Sequence, residues 1–432
     1  MPADPQGPGA GRLYRGSAVF LAIYVAGSGL SFGVHLLLAR TVGATAYGHF
    51  VYATSWLALL LLGSTLGLRP TVLRFAAAYR ATAQWPLLRG LLGSATRWAF
   101  AASMAMVALA VAVIAATRPN GEDASTALLL VVAATPFMAL AEVWCAAVRG
   151  LGAVARSQVP ASLVQHLLLG GSFAALVAVT GTPPGAATAA AAFLLATLGT
   201  FGASLWLLRR LQSPLPSAGS ASHARREWAG VAAGNFLIAA CQAARAPLIA
   251  VMAGAQVEAQ QLAYFVAASR LANVMALGLT GISGIAAPLI SRYHALAQRA
   301  GLQRLAHLCA RGALAVALAV ALVLAFFGRE LLALFGPGFA SAFGVLLILA
   351  LGEAAAAAVG PAGYFLTMTG RQAAATRIEA GSSVMSVVLA AALIPHHGIT
   401  GAAIAVAAGS VARNLATAIA VWRHLHLRLA VL

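Results

Sequence analysis

The most constraining feature of this chain is a series of long apolar runs, separated by short segments that hold most of its 27 basic residues, all of them arginine. A hydrocarbon core of ~30 Å needs about 20 apolar residues for one helical crossing, and each run is that long. A soluble fold must cover itself with polar groups, yet the chain is 61% hydrophobic and 8% charged. The sequence therefore predicts a protein whose solvent is lipid.

Twelve such runs can be delimited along the chain. They cover residues 17–39, 47–68, 91–116, 125–148, 158–180, 186–208, 229–252, 260–286, 309–328, 342–369, 372–394 and 400–422. Backbone groups in lipid must be hydrogen-bonded within their own segment, and the runs lack any alternation of period two. The sequence therefore predicts an all-α integral membrane protein with twelve transmembrane helices.

Arginines fall on alternate connections between these runs. The arginine-rich side carries Arg12, Arg15, Arg69, Arg74, Arg80, Arg89, Arg149, Arg156, Arg209, Arg210, Arg225, Arg226, Arg292, Arg299, Arg304, Arg311, Arg371, Arg377, Arg423 and Arg428. The arginine-poor side carries Arg40, Arg118 and Arg329. The positive-inside rule then predicts that both termini are cytoplasmic. The net charge of +18 is dispersed between the runs, which predicts contact with anionic lipids and not with nucleic acid.

The two halves of the chain share short motifs at a nearly constant offset of about half its length. Pro70-x-x-x-Arg74 recurs as Pro288-x-x-x-Arg292, and Gly185-Ala-Ala recurs as Gly401-Ala-Ala. Because each half holds an even number of runs, the two repeats should be parallel, with substrate sites at their interface. The predicted organisation is a cytoplasmic tail (1–16), a six-helix bundle (17–208), a cytoplasmic linker (209–228), a second six-helix bundle (229–422) and a cytoplasmic tail (423–432).

Three stretches resemble signatures of a known family. Ala39–Phe50 is similar to the pattern R-x-x-G-x-x-x-Y-G-x-F, Phe335–Ala342 to a pattern FG-x-x-F/Y-x-x-A, and Leu393–Ala403 to IP-x-x-G-x-x-GAA. These patterns belong to the Wzx-type polysaccharide flippases, the O-antigen and exopolysaccharide transporters of the multidrug/oligosaccharidyl-lipid/polysaccharide (MOP) exporter superfamily. The chain resembles that family over essentially its whole length.

The resemblance implies the MOP fold, with two six-helix bundles around a central cavity. It also implies that an undecaprenyl-diphosphate-linked oligosaccharide moves from the inner to the outer leaflet of the bacterial inner membrane by alternating access. Implied partners are this lipid-linked substrate, membrane lipids, and the polysaccharide polymerase and chain-length machinery. The lipid II flippases of the superfamily carry arginines in their first two spans. This chain has His35 in the first run and no arginine inside the second, which disfavours that branch.

Arg245, Arg270 and Arg413 interrupt the apolar runs of the second half. Each arginine at a helix centre costs about 2.5–3.5 kcal/mol on insertion scales, so these residues should face the protein interior or water. Guanidinium groups match phosphate oxygens, which makes the three arginines candidates for binding a diphosphate in a cationic cavity. The alternative is internal ion pairing with Glu353, which is also the candidate for proton or sodium coupling.

Asn235, Gln242 and Asn273 are polar residues within these runs. Their amide groups can contact sugar hydroxyls, and they can equally form hydrogen bonds between helices. The sequence leaves both interpretations open.

Two other classes of function compete with the flippase. A multidrug/cation antiporter on the same fold would use cavity carboxylates, of which Glu353 is the central one. A membrane-embedded polysaccharide polymerase or ligase would need acid, base or metal groups at one face of the membrane. The connections on the arginine-poor side offer Glu122, Asp123, Glu258, Glu330 and the pair His396-His397, scattered and without metal-ligand spacing. The sequence therefore predicts a transporter and not an enzyme, with no cofactor and no metal.

Overall fold

The computed structural model describes residues 10–117, 121–181, 183–212 and 220–427. Arg118, Arg428, and parts of the predicted tails and of the linker 209–228 lie outside these ranges. The helices are α1 (Ala10–Val42), α2 (Ala44–Thr65), α3 (Leu68–Ala81), α4 (Trp85–Thr117), α5 (Glu122–Ala133), α6 (Thr135–Gly150), α7 (Val154–Val159), α8 (Gln165–Thr180), α9 (Ala186–Gln212), α10 (Arg225–Ala243), α11 (Arg245–Gly254), α12 (Ala259–Ala295), α13 (Arg299–Ala333), α14 (Phe343–Ala358), α15 (Ala362–Met368) and α16 (Gln372–Leu425).

The all-α prediction is confirmed for the described residues. Within them, nine helical segments are long and apolar enough to cross a membrane, or ten if the bent pair α10 and α11 is counted as one span. Most of the helices coincide with the apolar runs and extend beyond them, because hydropathy marks the part of a helix that lies in lipid and not its ends. The runs 125–148, 229–252 and 342–369 are each divided between two helices. The arrangement of twelve spans in two repeats stays a prediction.

Prolines account for two of the helix breaks. A proline lacks the backbone N–H, and its ring collides with the carbonyl four residues earlier. Pro247 stands four residues after Ala243, where α10 ends, and α11 leaves the break at an angle of 53°. Pro136 likewise follows the junction of α5 and α6 at Ala134. Both breaks therefore follow from the sequence.

The 54-residue helix α16 consists of two antiparallel segments. A continuous helix of this length would extend about 80 Å, far more than a bilayer is thick. Gly398 has φ 53° and ψ −133°, a conformation that glycine adopts without strain, and it follows Pro395. Beyond it, Gly409 packs against Ser386, and Gly401 packs against the backbone of Leu393. The predicted runs 372–394 and 400–422 are these two segments.

The chain divides into two compact units. Unit 1 comprises the chain as far as Val42 together with Trp56–Ala240, and unit 2 comprises Gly43–Ser55 together with the chain from Cys241 onward. The division therefore falls inside α2 and inside α10. The sequence division into bundles 17–208 and 229–422 places its boundary in the linker.

The core of unit 1 includes the amphipathic helix α3. Its apolar side chains, among them Val72, Phe75 and Tyr79, are buried against α4 and α6, while Arg74 and Arg80 are exposed. The buried indole of Trp228, in the first turn of α10, donates a hydrogen bond to the Tyr79 hydroxyl at 2.9 Å. The apolar face of α3 is thus used for packing within the protein, and its arginines remain at the surface.

Candidate functional site

The break between α10 and α11 positions Arg245, the first residue of α11. Because α10 ends at Ala243, its last carbonyls lack partners within the helix. Ser383 on α16 supplies one by donating its hydroxyl to the Cys241 carbonyl at 2.8 Å. In a membrane such irregular backbone is tolerated where it is buried in protein or lines a cavity. The broken helix therefore holds a cationic side chain at a fixed point of unit 2.

Arg245 belongs to a group of four ionisable residues in unit 2. Its guanidinium interacts electrostatically with Arg413, Glu379 and Glu353. Glu353 on α14 interacts in turn with Arg413 and Arg245. We call these four residues the charged cluster. With two arginines and two glutamates the cluster is formally neutral, so Arg245 and Arg413, predicted candidates for a cationic cavity, lie near carboxylates.

The direct ion pair in this cluster joins Arg413 to Glu379. Arg413 Nη1 lies 3.6 Å from Glu379 Oε1, and the two side chains are 31% and 20% exposed. Ion pairing with Glu353 was the alternative that the sequence left open, and Glu353 does interact with Arg413, but the direct pair is made by Glu379, which the sequence did not single out. The antiparallel packing of the two segments of α16 explains the pairing, because both residues lie at nearly equal distances along the chain from the turn at Pro395–Gly398.

Arg245 is less completely satisfied than Arg413. Its Nη1 atom is buried and has no hydrogen-bond partner among the residues that the structure describes. Burying a charged donor without a hydrogen bond is costly. This N–H group can therefore donate a hydrogen bond to an anionic ligand or to an ordered water. Arg245 is therefore the residue of the charged cluster with free donor capacity.

Arg270 on α12 lies in a different environment, beside the fully buried Tyr47. The guanidinium donates a hydrogen bond to the Tyr47 hydroxyl. Tyr47 also packs against Phe50 and Phe339, with ring centroids 6.5 Å apart in each pair. Tyr47 and Phe50 come from the first of the family-like stretches and Phe339 from the second. These two motifs thus meet in one aromatic cluster of unit 2. Packing within this cluster accounts for the presence of aromatic residues in both motifs.

The three amide residues differ in their surroundings. Asn235 donates its amide to the Thr71 hydroxyl at 2.9 Å, which is a hydrogen bond between α10 and α3 within unit 1. Gln242 and Asn273 have exposed side chains. The sequence allowed two interpretations of these amides. Asn235 forms a hydrogen bond between helices. The exposed amides of Gln242 and Asn273 are accessible to a ligand.

Comparison with known proteins identifies the fold. No protein-family profile matches the sequence, and no curated protein matches it either. Among solved structures, the chain is similar to the inward-facing conformation of a multidrug resistance MATE transporter of the MOP superfamily, with a TM-score of 0.67 at 16% identity over 95% of this chain and 98% of that one. It is also similar to the lipid II flippase MurJ in an inward closed conformation, with a TM-score of 0.67 at 10% identity over 94% and 87% of the two chains.

A third similar structure is a MOP superfamily transporter from Pyrococcus furiosus. Its TM-score is 0.63 at 14% identity, and the alignment covers 96% of this chain and 95% of that one. That structure is described as having a binding pocket of reverse polarity that suggests a different function. The chain therefore shares its fold with a MATE transporter and another transporter of the MOP superfamily and with the lipid II flippase MurJ. At these identities the likeness establishes the fold and leaves the substrate open.

Proposed function

We propose that the chain is a flippase that moves an undecaprenyl-diphosphate-linked oligosaccharide, an O-antigen or exopolysaccharide repeat unit, from the inner to the outer leaflet by alternating access. The observation that carries this proposal is the buried Nη1 of Arg245 at the start of α11, which has no hydrogen-bond partner in the part of the chain that the structure describes. A guanidinium offers a rigid fork of donors that fits two phosphate oxygens. The N-terminus of α11 adds its positive helix dipole at the same point.

Arg413 and Arg270 have supporting roles in this proposal. The pairing of Arg413 with Glu379 makes it a weaker ligand than Arg245, although a diphosphate can compete for the same donors. Arg270 is already engaged by Tyr47. Glu353 remains the candidate for proton or sodium coupling, because its charge interacts with Arg245 and Arg413. Exposed Gln242 and Asn273 are the candidates for sugar contacts in unit 2. A sugar contact from Asn235, whose amide is donated to Thr71 within unit 1, stays a prediction.

The orientation follows from the arginines. We assign the arginine-rich side, with both termini, to the cytoplasm of a bacterial cell and the arginine-poor side to the far side of its inner membrane. The diphosphate would then enter from the side on which Arg69, Arg74 and Arg80 are exposed. The polysaccharide polymerase and chain-length machinery would act on the product. Alkaline phosphatase fusions at the two termini test this orientation, and activity at either terminus contradicts it.

Replacement of Arg245 tests the proposal directly. We expect Arg245→Ala to reduce flipping of a fluorescent undecaprenyl-diphosphate oligosaccharide in proteoliposomes by at least about tenfold, because a charge-assisted hydrogen bond to phosphate contributes about 1.5–3 kcal/mol. Arg245→Lys should retain part of the rate, since it keeps the charge but loses the fork. The matched control is Arg423→Ala, an exposed arginine near the end of α16. Equal rates in Arg245→Ala and wild type would refute the assignment.

A second candidate function is export of cationic drugs, which the carboxylates of the charged cluster favour. Glu353 and Glu379 lie beside the arginines, so the cluster carries as many negative as positive charges. A cationic substrate could displace an arginine from its carboxylate. Under this alternative Glu353→Gln would abolish drug resistance conferred by the chain in a drug-sensitive host, and Arg245→Ala would leave it intact. The flippase predicts no such resistance in any variant.

A further inference from the structure

A polar cavity opens on the arginine-poor side of unit 2. Its volume is about 630 Å³, within the range typical of ligand pockets. It is built from three connections that are remote in sequence. Residues 256–261 precede and begin α12, Ser341 precedes α14, and residues 394–400 form the turn of α16. Glu258 and His397, which looked scattered in the sequence, both line this cavity.

The backbone fixes two walls of the cavity. Gly398 turns the chain in a positive-φ conformation, and the side-chain oxygen of Gln261 lies 3.7 Å from the point that a Cβ at Gly398 would occupy. Tyr264, one turn further along α12, is buried and packs edge-on against Phe339 with ring centroids 4.9 Å apart. The backbone that carries Gln261 and Tyr264 is thus held in place by the packing of α12.

The lining chemistry selects the class of ligand. Amide, carboxylate, imidazole and hydroxyl groups supply both hydrogen-bond donors and acceptors, from Gln256, Glu258, Gln261, His397 and Thr400. No arginine lines the cavity and the chain has no lysine, so a phosphate group would meet no cation and would be repelled by the Glu258 carboxylate. Within the described ranges no three His, Cys, Asp or Glu side chains are placed to hold a metal. A neutral ligand rich in hydroxyl groups fits best.

We propose that this cavity binds sugar residues of the transported oligosaccharide on the arginine-poor side of the membrane. The proposal rests on the proposed function and adds a second contact to it. Arg245 would hold the diphosphate, and this separate cavity would hold neutral sugars. Such a site favours the glycan on the far side of the membrane and so opposes its return.

Direct binding of simple sugars tests the proposal without any transport step. The probes are the methyl glycosides of glucose, galactose and N-acetylglucosamine, titrated against the full chain in nanodiscs and followed by saturation-transfer difference NMR. We expect at least one glycoside to bind. Gln261→Leu and Thr400→Val should each weaken that binding at least about tenfold, because each removes hydrogen bonds to sugar hydroxyls. Both positions are exposed, so these variants should fold.

The matched control is a carboxylate on the same side of the membrane. Glu258→Ala should weaken glycoside binding, whereas Glu330→Ala, an exposed residue outside the cavity near the end of α13, should not. Absence of glycoside binding to the wild-type chain overturns the proposal. Equal binding to wild type and cavity variants overturns it as well. Calcium or magnesium binding that is lost in Glu258→Ala, with no sugar bound, would identify a cation site instead.

Flipping assays separate this proposal from the proposed function. In one outcome the wild-type chain flips the lipid-linked oligosaccharide, and the cavity variants match the wild type in both glycoside binding and flipping. The cavity is then not a sugar site, and the proposed flippase function is retained. If glycosides bind in the cavity but no lipid-linked oligosaccharide is flipped, the proposed function fails, and the assignment of the cavity to that substrate fails with it. Weakened binding together with slowed flipping in Gln261→Leu supports both.

Discussion

The two units differ in the polar groups that they place among their helices. In unit 1, buried Gln165 on α8 donates to the Thr197 hydroxyl at 3.3 Å and accepts from the Thr200 hydroxyl at 2.7 Å. These groups are neutral and their hydrogen bonds are satisfied within the unit. Unit 1 also holds an ion pair, between Arg69 Nη1 and Glu142 Oε2 at 3.4 Å, but its arginine side chain is 56% exposed. In unit 2 four ionisable side chains form the charged cluster, and Arg245 retains a buried donor without a partner among the described residues.

This difference separates two roles of polar groups in a membrane protein, helix packing and ligand binding. A neutral network with every member satisfied fixes the packing of helices at modest cost. Charges inside an apolar segment are costly, and they are retained where they bind or move something. We infer that the buried neutral network around Gln165 in unit 1 serves packing and that the charged cluster in unit 2 serves recognition. The predictions below test that contrast.

The largest effect on stability should come from reversing a charge in the charged cluster. Arg413→Glu would place a third carboxylate beside Glu379 and Glu353, so we expect a loss on the order of 2 kcal/mol or more, seen as a lower melting temperature in fluorescence-detected size-exclusion chromatography. The double variant Arg413→Glu with Glu379→Arg should recover most of the loss, because it restores the ion pair with opposite polarity.

The control for this charge reversal is Arg377→Glu, an exposed position on α16. Its melting temperature should stay close to that of the wild type. If Arg413→Glu is as stable as this control, water solvates the charged cluster so well that the ion pair between Arg413 and Glu379 does not contribute to stability. Unit 2 would then differ from unit 1 in solvent access and not in the energetic cost of its charges.

A pair of identical substitutions compares the two units more directly. Gln165→Leu leaves the hydroxyls of Thr197 and Thr200 with only their bonds to helix carbonyls, and it should cost about 1–2 kcal/mol of stability. Transport per folded molecule should be unchanged. Gln242→Leu, at an exposed position beside the helix break, should show the reverse pattern, with normal stability and slower flipping. Thermal unfolding and proteoliposome flipping, measured on both variants, give the comparison.

Reversed outcomes would contradict the contrast between the units. If Gln165→Leu slowed flipping without loss of stability, the neutral network of unit 1 would take part in transport. If Gln242→Leu only destabilised the fold, its exposed amide would be a structural group and not a sugar contact.

The sequence was sufficient to predict most of the helical framework. Hydropathy located the apolar runs, and the arginines marked their connections. The break after Ala243 was not predicted, since residues 229–252 form one apolar run, although Pro247 carries a signal for it because the steric rule for proline acts on a residue four positions earlier. That signal is local, which is why sequence reasoning can use it.

The composition of the charged cluster was only partly predictable. The depth of Arg245, Arg413 and Glu353 in their runs showed that they were unusual. The partner of Arg413 depended on the register of two antiparallel segments, which follows only once the turn at Gly398 is placed. The cavity that contains Glu258 and His397 joins three remote connections, and no local pattern reports such convergence.

The smallest predicted effect concerns a motif that the two units share but use differently. Gly185-Ala-Ala stands at the start of α9, and Gly401-Ala-Ala stands near the start of the second segment of α16. In unit 1 the Asp123 carboxylate occupies the space beside Gly185 and accepts hydrogen bonds from the backbone N–H groups of Ala186 and Ala187, at 2.8 and 2.9 Å. In unit 2 the backbone of Leu393 fills the equivalent space beside Gly401. Asp123 thus caps α9 from a different helix.

Removing this cap should cost about 1 kcal/mol, the usual loss on replacing a capping side chain by alanine. Asp123→Ala should therefore lower the melting temperature slightly, and Asp123→Asn should retain part of the stability because its amide oxygen can still accept. The adjacent Glu122→Ala is the control, since Glu122 is exposed and also in the first turn of α5. Equal melting temperatures for Asp123→Ala and Glu122→Ala would show that water replaces the carboxylate at no cost. The shared glycine would then serve close packing in both units.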